Sequence, residues 1–386
     1  MEPYSLRKTF KYKLKPTPEQ EQVLASILQR CCTLYNVALE QRKTWWGRGQ
    51  GIGATYYQQK AELPDLKVAC PDYAEVNAQV LQDVILRVER TYQAFFRRLQ
   101  AGEQPGSPRF QGRNRYNSFT YPQYGGGVVL DGGVLSLSKL GRVPIRLHRP
   151  LEGAPKTVTI SREADGWYAC ISCAEVPIAP LPLTGHETGI DVGLKVFLVT
   201  ADGEIVENPR HYRKAEKQLQ KAQRRVARRK KGSKRRRKAV ALLKRNHQKV
   251  QRQRADFHHK TAFSLLRTYD TVYLEDLRVA NMLRNHHLAK SISDAGWAAF
   301  RAILACKAAW AGKRVILVAP AYTSQDCSAC GERVPKSLSV RTHICPSCGL
   351  VLDRDENAAR NIQWAGQALR GLAGIPAGMN RAAPSR

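Results

Sequence analysis

Acidic residues and long apolar runs are both scarce in this sequence. Asp and Glu number 32 against 63 Lys and Arg, which gives a formal net charge of +31 at pH 7. A compact chain of that charge repels itself unless a polyanion neutralises it, so nucleic acid is the expected partner. A membrane surface is the alternative. However, no apolar run approaches the roughly 18 residues of a membrane-spanning helix, and no basic helix has a continuous apolar face.

The N-terminal stretch MEPYSLRKTFKYKLKP lacks the apolar core of a signal peptide. We therefore expect a cytoplasmic protein that associates with the nucleoid when it is bound to DNA. Its ten cysteines should then be reduced or metal-bound. The 386 residues, 43% of them apolar, are enough for two or three domains with cores of their own.

The N-terminal region of the chain begins with a strand and then a helix. Apolar side chains occupy the even positions from Phe10 to Leu14 and cations the odd ones, which predicts a strand with one basic face. Thr17 as N-cap, Pro18 at the first helical position and Gln20 completing a capping box predict a helix start. A helical module is predicted over residues 16–108.

Short strands follow the helical module. The segments VVLDGGVLSL and TVTISREADGWYACISC each predict a hairpin around a Gly-containing turn. We predict a small β-barrel or sandwich over residues 109–183, completed by the N-terminal strand within residues 1–15.

From residue 184 onward strands alternate with helices, which is typical of a mixed α/β layer fold. TVYLEDL and RVILVAP predict strands, and ADFHHKTAFSLLRTYD and GWAAFRAILACKAAWAG predict helices. An arm at residues 208–260 contains 22 Lys and Arg but only 2 Asp and Glu. It predicts two helices joined by RRKKGSKRRR, either a nucleic-acid surface or simply solvated helix faces.

Two CxxC motifs predict a metal site. CSACG and CPSCG supply Cys327, Cys330, Cys345 and Cys348, and four thiolates close a tetrahedron around a structural zinc ion. Gly331 and Gly349 relax the backbone after each motif. Two disulfides are the alternative, which a reducing compartment disfavours. The CISC motif at Cys170 and Cys173 lies in a predicted strand, where the two thiols face opposite ways.

Three acids stand in apolar surroundings. Asp191 lies within the strand GIDVGL, and Glu275 ends the strand TVYLE while Asp276 points to its other face. In DRDENAARNI, Asp353 and Glu356 can form a capping box, which leaves Asp355 on the inward helical face of Ala358, Ile362 and Ala365.

Two interpretations of these acids are open. Three carboxylates could hold magnesium or manganese, and two such ions about 4 Å apart would support phosphodiester cleavage. Lys and Arg alone could instead neutralise the acids, since this chain has many cations.

GIDVGLK, YLEDL, SISDAGW, YTSQDCSACG and RDENAARN resemble, in order and spacing, the signature segments of TnpB, a family of transposon-encoded RNA-guided DNA endonucleases related to type V CRISPR effectors. The resemblance implies that Asp191, Glu275 and Asp355 carry metal-dependent cleavage and that the four cysteines hold zinc. It also implies a guide RNA from the transposon end, a double-stranded DNA target beside a short motif, and a protein that is monomeric in the ribonucleoprotein.

The resemblance further implies a multidomain α+β fold: an RNase H-like (RuvC) mixed α/β nuclease domain with a zinc-ribbon insert, and a β-barrel wedge domain with an inserted helical lobe. The expected boundaries are 1–15 (first wedge strand), 16–108 (helical recognition lobe), 109–183 (wedge barrel), 184–320 (first nuclease segment), 321–352 (zinc insert), 353–370 (second nuclease segment) and 371–386 (flexible tail).

Nucleic-acid contacts are expected at two sets of residues. The resemblance places readers of the target-adjacent motif at Tyr56, Gln82 and Thr120. Charge nominates backbone-binding residues, namely Arg109, Arg113, Arg115, Arg224, Arg225, Arg228, Arg229, Lys230, Lys231, Arg235, Arg236 and Arg237. A guided repressor without cleavage and a transposase are the alternative functions.

Overall fold

The computed structural model describes residues 6–47, 54–112, 115–178, 180–337 and 340–372. The chain forms two compact units, the first ending at Pro177 and the second beginning at Ile178. Among the described helices, none combines the length and the apolar composition needed to cross a bilayer.

The first unit contains one seven-stranded antiparallel sheet. Strand β1 (Leu6–Leu14) lies in its middle and buries Phe10, Tyr12 and Leu14, which confirms the predicted alternation. The sheet order is β2-β6-β7-β1-β5-β4-β3. Its other strands are β2 (Ser118–Tyr121), β3 (Val128–Asp131), β4 (Val134–Leu137), β5 (Gly141–Arg146), β6 (Ala154–Glu163) and β7 (Gly166–Val176). The pairs β3–β4 and β6–β7 are the two predicted hairpins.

The basic face of β1 is paired with acids. Lys8 lies 2.9 Å from Glu152, Lys13 lies 3.5 Å from Asp165, and Lys11 forms an ion pair with Glu163. These exposed pairs contribute little stability, but they neutralise the cations of this strand.

Helix α1 (Pro18–Gly47) begins with the predicted capping box. The N–H of Gln20 donates to Thr17 Oγ1 at 3.3 Å, and the N–H of Thr17 donates to Gln20 Oε1 at 3.1 Å. The other helices of the unit are α2 (Tyr56–Ala61), α3 (Leu63–Ala69) and α4 (Ala78–Gln100), with a 3-10 turn at Pro71–Glu75. Helices and sheet share one core, to which Leu28, Leu81 and Phe119 belong. The boundary expected between residues 108 and 109 stays a prediction.

The second unit contains a five-stranded mixed sheet in the order β10-β9-β8-β11-β12. Strands β8, β11 and β12 are parallel to one another, while β9 and β10 are antiparallel to their neighbours. The strands are β8 (Glu187–Val192), β9 (Val196–Thr200), β10 (Ile205–Glu207), β11 (Thr271–Glu275) and β12 (Arg314–Val318). The predicted mixed α/β layer is therefore present. A short hairpin, β13 (Thr342–Ile344) with β14 (Val351–Asp353), stands apart from this sheet.

The basic arm is a helical hairpin, but its second helix is longer than predicted. The helices of the unit are α5 (His211–Ala227), α6 (Lys234–Thr268), α7 (Val279–Met282), α8 (Ala289–Ala295), α9 (Trp297–Ala311) and α10 (Arg354–Leu372). The two predicted arm helices are present, but α6 continues without a break into the segment ADFHHKTAFSLLRTYD, so the prediction of a separate helix there is wrong. No Gly or Pro occurs between Lys234 and Thr268 to end the helix. The expected flexible tail begins inside α10, and its residues after 372 lie outside the described range of the chain.

Candidate functional site

Two neighbouring parallel strands bring Asp191 and Glu275 together. Strands β8 and β11 pair with Ile190 opposite Leu274, so the next residues, Asp191 and Glu275, follow side by side where the ladder ends. Residues in register on adjacent parallel strands project to the same face of the sheet. Both carboxylates therefore lie at one edge of the sheet.

Helix α10 carries Asp355 to the same edge. It runs across the sheet antiparallel to β8, because Arg370 near its end pairs with Glu187 and Gln363 Nε2 donates to the Glu187 carbonyl oxygen at 3.3 Å. Its first turn consequently lies at the opposite end of β8, where Asp191 is.

The first turn of α10 departs from the predicted box. The N–H groups of Asp355 and Glu356 donate to Asp353 Oδ1 at 2.8 and 3.4 Å, as expected of a capping Asp. The Glu356 carboxylate instead accepts from Arg360 at 2.7 Å. On the inward face Ala358 and Ile362 are buried as predicted, whereas Ala365 is exposed.

The electrostatics show that the three acids interact. Burial raises the pKa of Asp191 well above its ordinary value, and the negative charges of Glu275 and Asp355 raise it further. Burial also raises the pKa of Glu275, against a hydrogen bond of 2.5 Å from Thr323 Oγ1 that lowers it. Negative charge is therefore penalised here unless a cation neutralises it.

Asp355 already has cationic partners. Its carboxylate lies 2.9 Å from Arg354 Nη2 and 3.2 Å from Arg341 Nη1. Among the residues that the structure describes, no Lys or Arg forms an ion pair with Asp191 or Glu275. Direct ion pairing with arginine thus holds for Asp355, while the positive charge of Arg354 also lowers the pKa of Asp191 against the stronger effect of burial. Asp276, expected on the other face of the strand, is exposed and forms an ion pair with Arg301.

The three acids have the ligand chemistry of a divalent-cation site. Carboxylate oxygens are the ligands that magnesium and manganese prefer, and a cation would offset the burial and the repulsion that together raise the pKa of Asp191. Among the described residues, the group of metal-ligand side chains whose ligand atoms all lie within 4.8 Å of one another is that of the four cysteines, and the three acids do not form such a group.

The four cysteines form a second, compact cluster. Sulfur to sulfur distances are 3.6 Å for Cys327–Cys348 and for Cys330–Cys345. A tetrahedron with Zn–S bonds of about 2.3 Å has edges of about 3.8 Å, so the spacing fits zinc. All ten cysteines are free, which contradicts the disulfide alternative. Cys170 and Cys173 lie on opposite faces of β7, Cys173 buried and Cys170 partly exposed, as predicted.

The two CxxC turns have the same backbone geometry. The N–H of Gly331 donates to the Cys327 carbonyl at 2.9 Å, and that of Gly349 to the Cys345 carbonyl at 3.0 Å. Both glycines have positive φ, +80° and +74°, a conformation that other residues adopt only at a cost. Backbone N–H groups, chiefly that of Cys348, lower the pKa of the Cys345 thiol to about 7.

The hairpin α5–α6 presents the predicted basic surface. A cavity of about 770 Å³ on it is lined by Lys217, Gln220, Lys221, Arg224, Arg225, Arg228 and Arg229. Lys230, Lys231, Arg235 and Arg237 are exposed. Arg236 has a structural role instead, because its Nη1 donates to the carbonyl oxygens of Val226 at 2.9 Å and Arg229 at 3.1 Å and so closes the end of α5.

The remaining nucleic-acid candidates lie in the first unit. Tyr56 lines a cavity of about 790 Å³ with Tyr57, Tyr92, Phe95 and Phe96. Gln82 is half-buried on α4, and the hydroxyl of Thr120 is held by Arg87 at 2.8 Å and Thr159 at 2.9 Å. Arg109 and Arg115 are exposed, and Arg113 lies outside the described residues. Their roles stay predictions.

Sequence reasoning missed the amides behind the acid site. Asn357 is fully buried and bonds the first CxxC turn, and Asn361 donates to backbone carbonyls of Thr323 and Asp326 at 2.8 and 2.6 Å. The two residues are four positions apart, which places them on the same inward face of α10, and this spacing could have identified them from the sequence.

Family models match three segments. The model described as "Probable transposase" matches residues 170–286, "Cas12f1-like, TNB domain" matches 297–362, and "Helix-turn-helix domain" matches 1–51. In the last range the described residues form one strand and one helix, β1 and α1.

Two relatives match this chain over more than 90% of its length. A Streptomyces pristinaespiralis protein named "Putative RNA-guided DNA endonuclease" is 36% identical over 94% of this chain and 90% of its own length. An Escherichia coli K12 protein, "Putative RNA-guided DNA endonuclease InsQ", is 30% identical over 93% of this chain and 92% of its own length. The fold resembles the protein in a cryo-EM structure of a Cas12f1–sgRNA–target DNA complex (TM-score 0.56, 13% identity, 93% of this chain and 99% of that chain). The chain belongs to the TnpB family.

Proposed function

We propose that this protein is an RNA-guided DNA endonuclease that hydrolyses phosphodiester bonds at Asp191, Glu275 and Asp355. The observation that carries the proposal is the meeting of these three acids at one edge of the sheet, with the pKa of Asp191 raised by burial and by the charges of the other two. The names of the full-length relatives support the same activity.

The acids would act as ligands of divalent cations. Bound magnesium or manganese would supply an activated water and stabilise the leaving oxygen. Asp191 and Glu275 offer carboxylates that form no direct ion pair among the described residues, while Arg354 and Arg341 hold Asp355 at the start of α10. In this proposal the acids would form an RNase H-like (RuvC) site that holds two cations.

The rest of the chain would grip nucleic acid and stabilise the site. A guide RNA would supply sequence specificity by base pairing, while the hairpin α5–α6 binds backbones by charge. Tyr56, Gln82 and Thr120 would read a short motif beside the target. The cysteine cluster would hold zinc and stabilise the insert, because all four positions are filled by protein and no place for a water is left.

The decisive test is the change Asp191→Ala in the purified ribonucleoprotein. We expect cleavage of a plasmid carrying the guide-matched target to fall by at least about 10³-fold, because a ligand of the reaction centre is lost. Binding of the guide RNA should stay within about 2-fold of the unchanged protein, since the acid contributes no cationic contact.

A matched control is Asp276→Ala, which removes an exposed acid next to Glu275 that pairs with Arg301. It should cleave at nearly the normal rate. Cleavage retained in Asp191→Ala, or cleavage without any divalent cation, would exclude the proposed site.

The description "Probable transposase" of one matching model keeps a second function in view. A transposase would join strands, so the products from supercoiled DNA decide between the two. Linear or nicked products alone support the endonuclease, joined products support the transposase, and bound but uncut DNA supports a guided repressor.

A further inference from the structure

The turn that enters the cysteine cluster touches the acid site. Thr323 lies in this turn, four residues before Cys327, and its hydroxyl donates to Glu275 Oε1 at 2.5 Å. Thr323 belongs to neither the strand that carries Glu275 nor the helix that carries Asp355. It therefore links a third element to the acids.

We propose that Thr323 is a positioning residue for Glu275, through which the cysteine-bearing insert orients this carboxylate for its metal. The inference rests on the proposed function and extends it to a residue outside the acid set. A ligating carboxylate needs a partner that fixes its orientation, and loss of such a partner typically lowers metal affinity or activity about 10–100-fold.

The turn itself is firmly held. Tyr322 has a φ of +62°, which is uncommon for a residue with a side chain. The centre of its ring lies 3.6 Å from the guanidinium carbon of Arg333. Arg333 also pairs with Asp326 at 2.9 Å, and the N–H of Asp326 donates to the Tyr322 carbonyl at 2.9 Å. A strained backbone conformation persists only where its surroundings enforce it, so the position of the Thr323 side chain is well determined.

Helix α10 fixes the other side of the turn. Asn361 donates to the carbonyl of Thr323 at 2.8 Å, and Asn357 donates to that of Asp326 at 2.8 Å. Asn357 also accepts from the N–H of Ser328, directly after Cys327, at 2.9 Å. Because Asp355 lies in the first turn of α10, one series of hydrogen bonds connects the helix of Asp355 through the turn to Glu275. The distance between Asp355 of α10 and Glu275 of β11 therefore depends on the position of the insert.

The test compares Thr323→Val, which keeps the shape and removes the hydroxyl, with Thr323→Ser, which keeps the hydroxyl. Binding of Mn²⁺ to the zinc-loaded full chain without RNA is measured by electron paramagnetic resonance of the free ion. We expect Thr323→Val to weaken the site that Asp191→Ala removes by about 10–100-fold and Thr323→Ser to bind within a few-fold of the unchanged protein. Cleavage by the ribonucleoprotein should follow the same order.

The matched control is Thr342→Val, an exposed threonine of the same insert, which should bind Mn²⁺ and cleave normally. If Thr323→Val loses its zinc or its thermal transition, Asn361→Ser replaces it, because this change frees the turn and leaves the hydroxyl in place.

Three outcomes would overturn the inference, and they separate it from the proposed function. Equal Mn²⁺ affinity in Thr323→Val and the unchanged protein, or equal loss in the Val and Ser variants, refutes positioning by Thr323 and leaves the endonuclease intact. Absence in the unchanged protein of any Mn²⁺ site that Asp191→Ala removes refutes the proposed metal site as well.

Discussion

Asp191 is the residue whose surroundings conflict most with its charge. It lies near the end of β8 between Ile190 and Val192, and both burial and the neighbouring acids raise its pKa. Its ionised form therefore destabilises the fold as long as no cation is bound. A residue that costs stability in this way is expected at a functional site, where ligand binding recovers the loss.

Asp191→Asn should consequently raise the Tm of the zinc-loaded protein in buffer without magnesium or manganese. Each kcal/mol gained corresponds to roughly 2–4 °C for a unit of this size. Because the folded pKa of Asp191 is raised, the penalty is absent below the unfolded value of about 3.9 and grows as pH rises through the folded pKa. The Tm difference should therefore widen from pH 4 to pH 8.

Scanning calorimetry of both proteins across this pH range is the measurement. Added magnesium should raise the Tm of the unchanged protein and leave that of Asp191→Asn nearly constant. A Tm difference that shrinks as pH rises would show that the Asp191 carboxylate is not destabilising.

Helix α10 is the element that completes the acid site, and two glycines let it approach the sheet. A Cβ at Gly189 would lie 2.0 Å from the carbonyl oxygen of Ala359, and one at Gly366 would lie 2.0 Å from the ring of buried Tyr273. Glu187, Tyr273 and Arg370 hold the far end of the helix by hydrogen bonds. The position of Asp355 thus depends on close packing well away from the acids.

Gly366→Ala should therefore push α10 away from the sheet. We expect a loss of about 1–3 kcal/mol in the free energy of unfolding and a large loss of cleavage, since overpacking shifts the helix that carries Asp355. Chemical denaturation and plasmid cleavage measure both effects.

Gly371→Ala is the control, because a Cβ there meets nothing within 4 Å and the residue lies in the same helix. It should be neutral or gain up to about 1 kcal/mol from helix propensity. If both variants behave alike, close packing of α10 is not what positions Asp355.

At the scale of the whole molecule, charge is the dominant property. Most of the net charge of +31 comes from the arm, where cations of α5 line an open cavity without acids among the lining residues. On β1, in contrast, three lysines are each paired with an acid. The sequence alone treats both stretches as basic. Among the described residues, the three lysines of β1 are paired with acids, whereas no acid lines the cavity of the arm, so the charge of the arm is available for a polyanion.

The triple change of Arg224, Arg225 and Arg228 to Ala should weaken RNA binding and make it less dependent on salt. The slope of log K against log salt should become shallower by up to about 2–3, because each phosphate contact contributes about 0.7–0.9. Filter binding between 50 and 200 mM salt gives the slope.

The control changes Lys60, Lys67 and Lys139 of the first unit to Ala, which alters the net charge equally. Its slope should stay close to normal. Equal slopes for the two triple variants would mean that total charge, and not the arm, governs RNA binding.

Local features were predictable, because they depend on residues near one another in sequence. Four kinds of local feature were predicted correctly: the capping box at Thr17, the alternation in β1, both hairpins and the two CxxC turns. Each depends on residues that are close together in the sequence. The length of α6 was missed because the change from arm to core helix alters composition without breaking the helix.

The sequence by itself determined the charge, the family and the residue types of both candidate sites. The tertiary structure decided which residues meet: the register of β8 with β11, the direction of α10, the arginines on Asp355 and the hydroxyl of Thr323 on Glu275. These contacts join segments far apart along the chain, and nothing in local propensity encodes them. They arise only when sheet and helix bury their apolar faces against each other, because that packing sets which polar side chains are left at the edge.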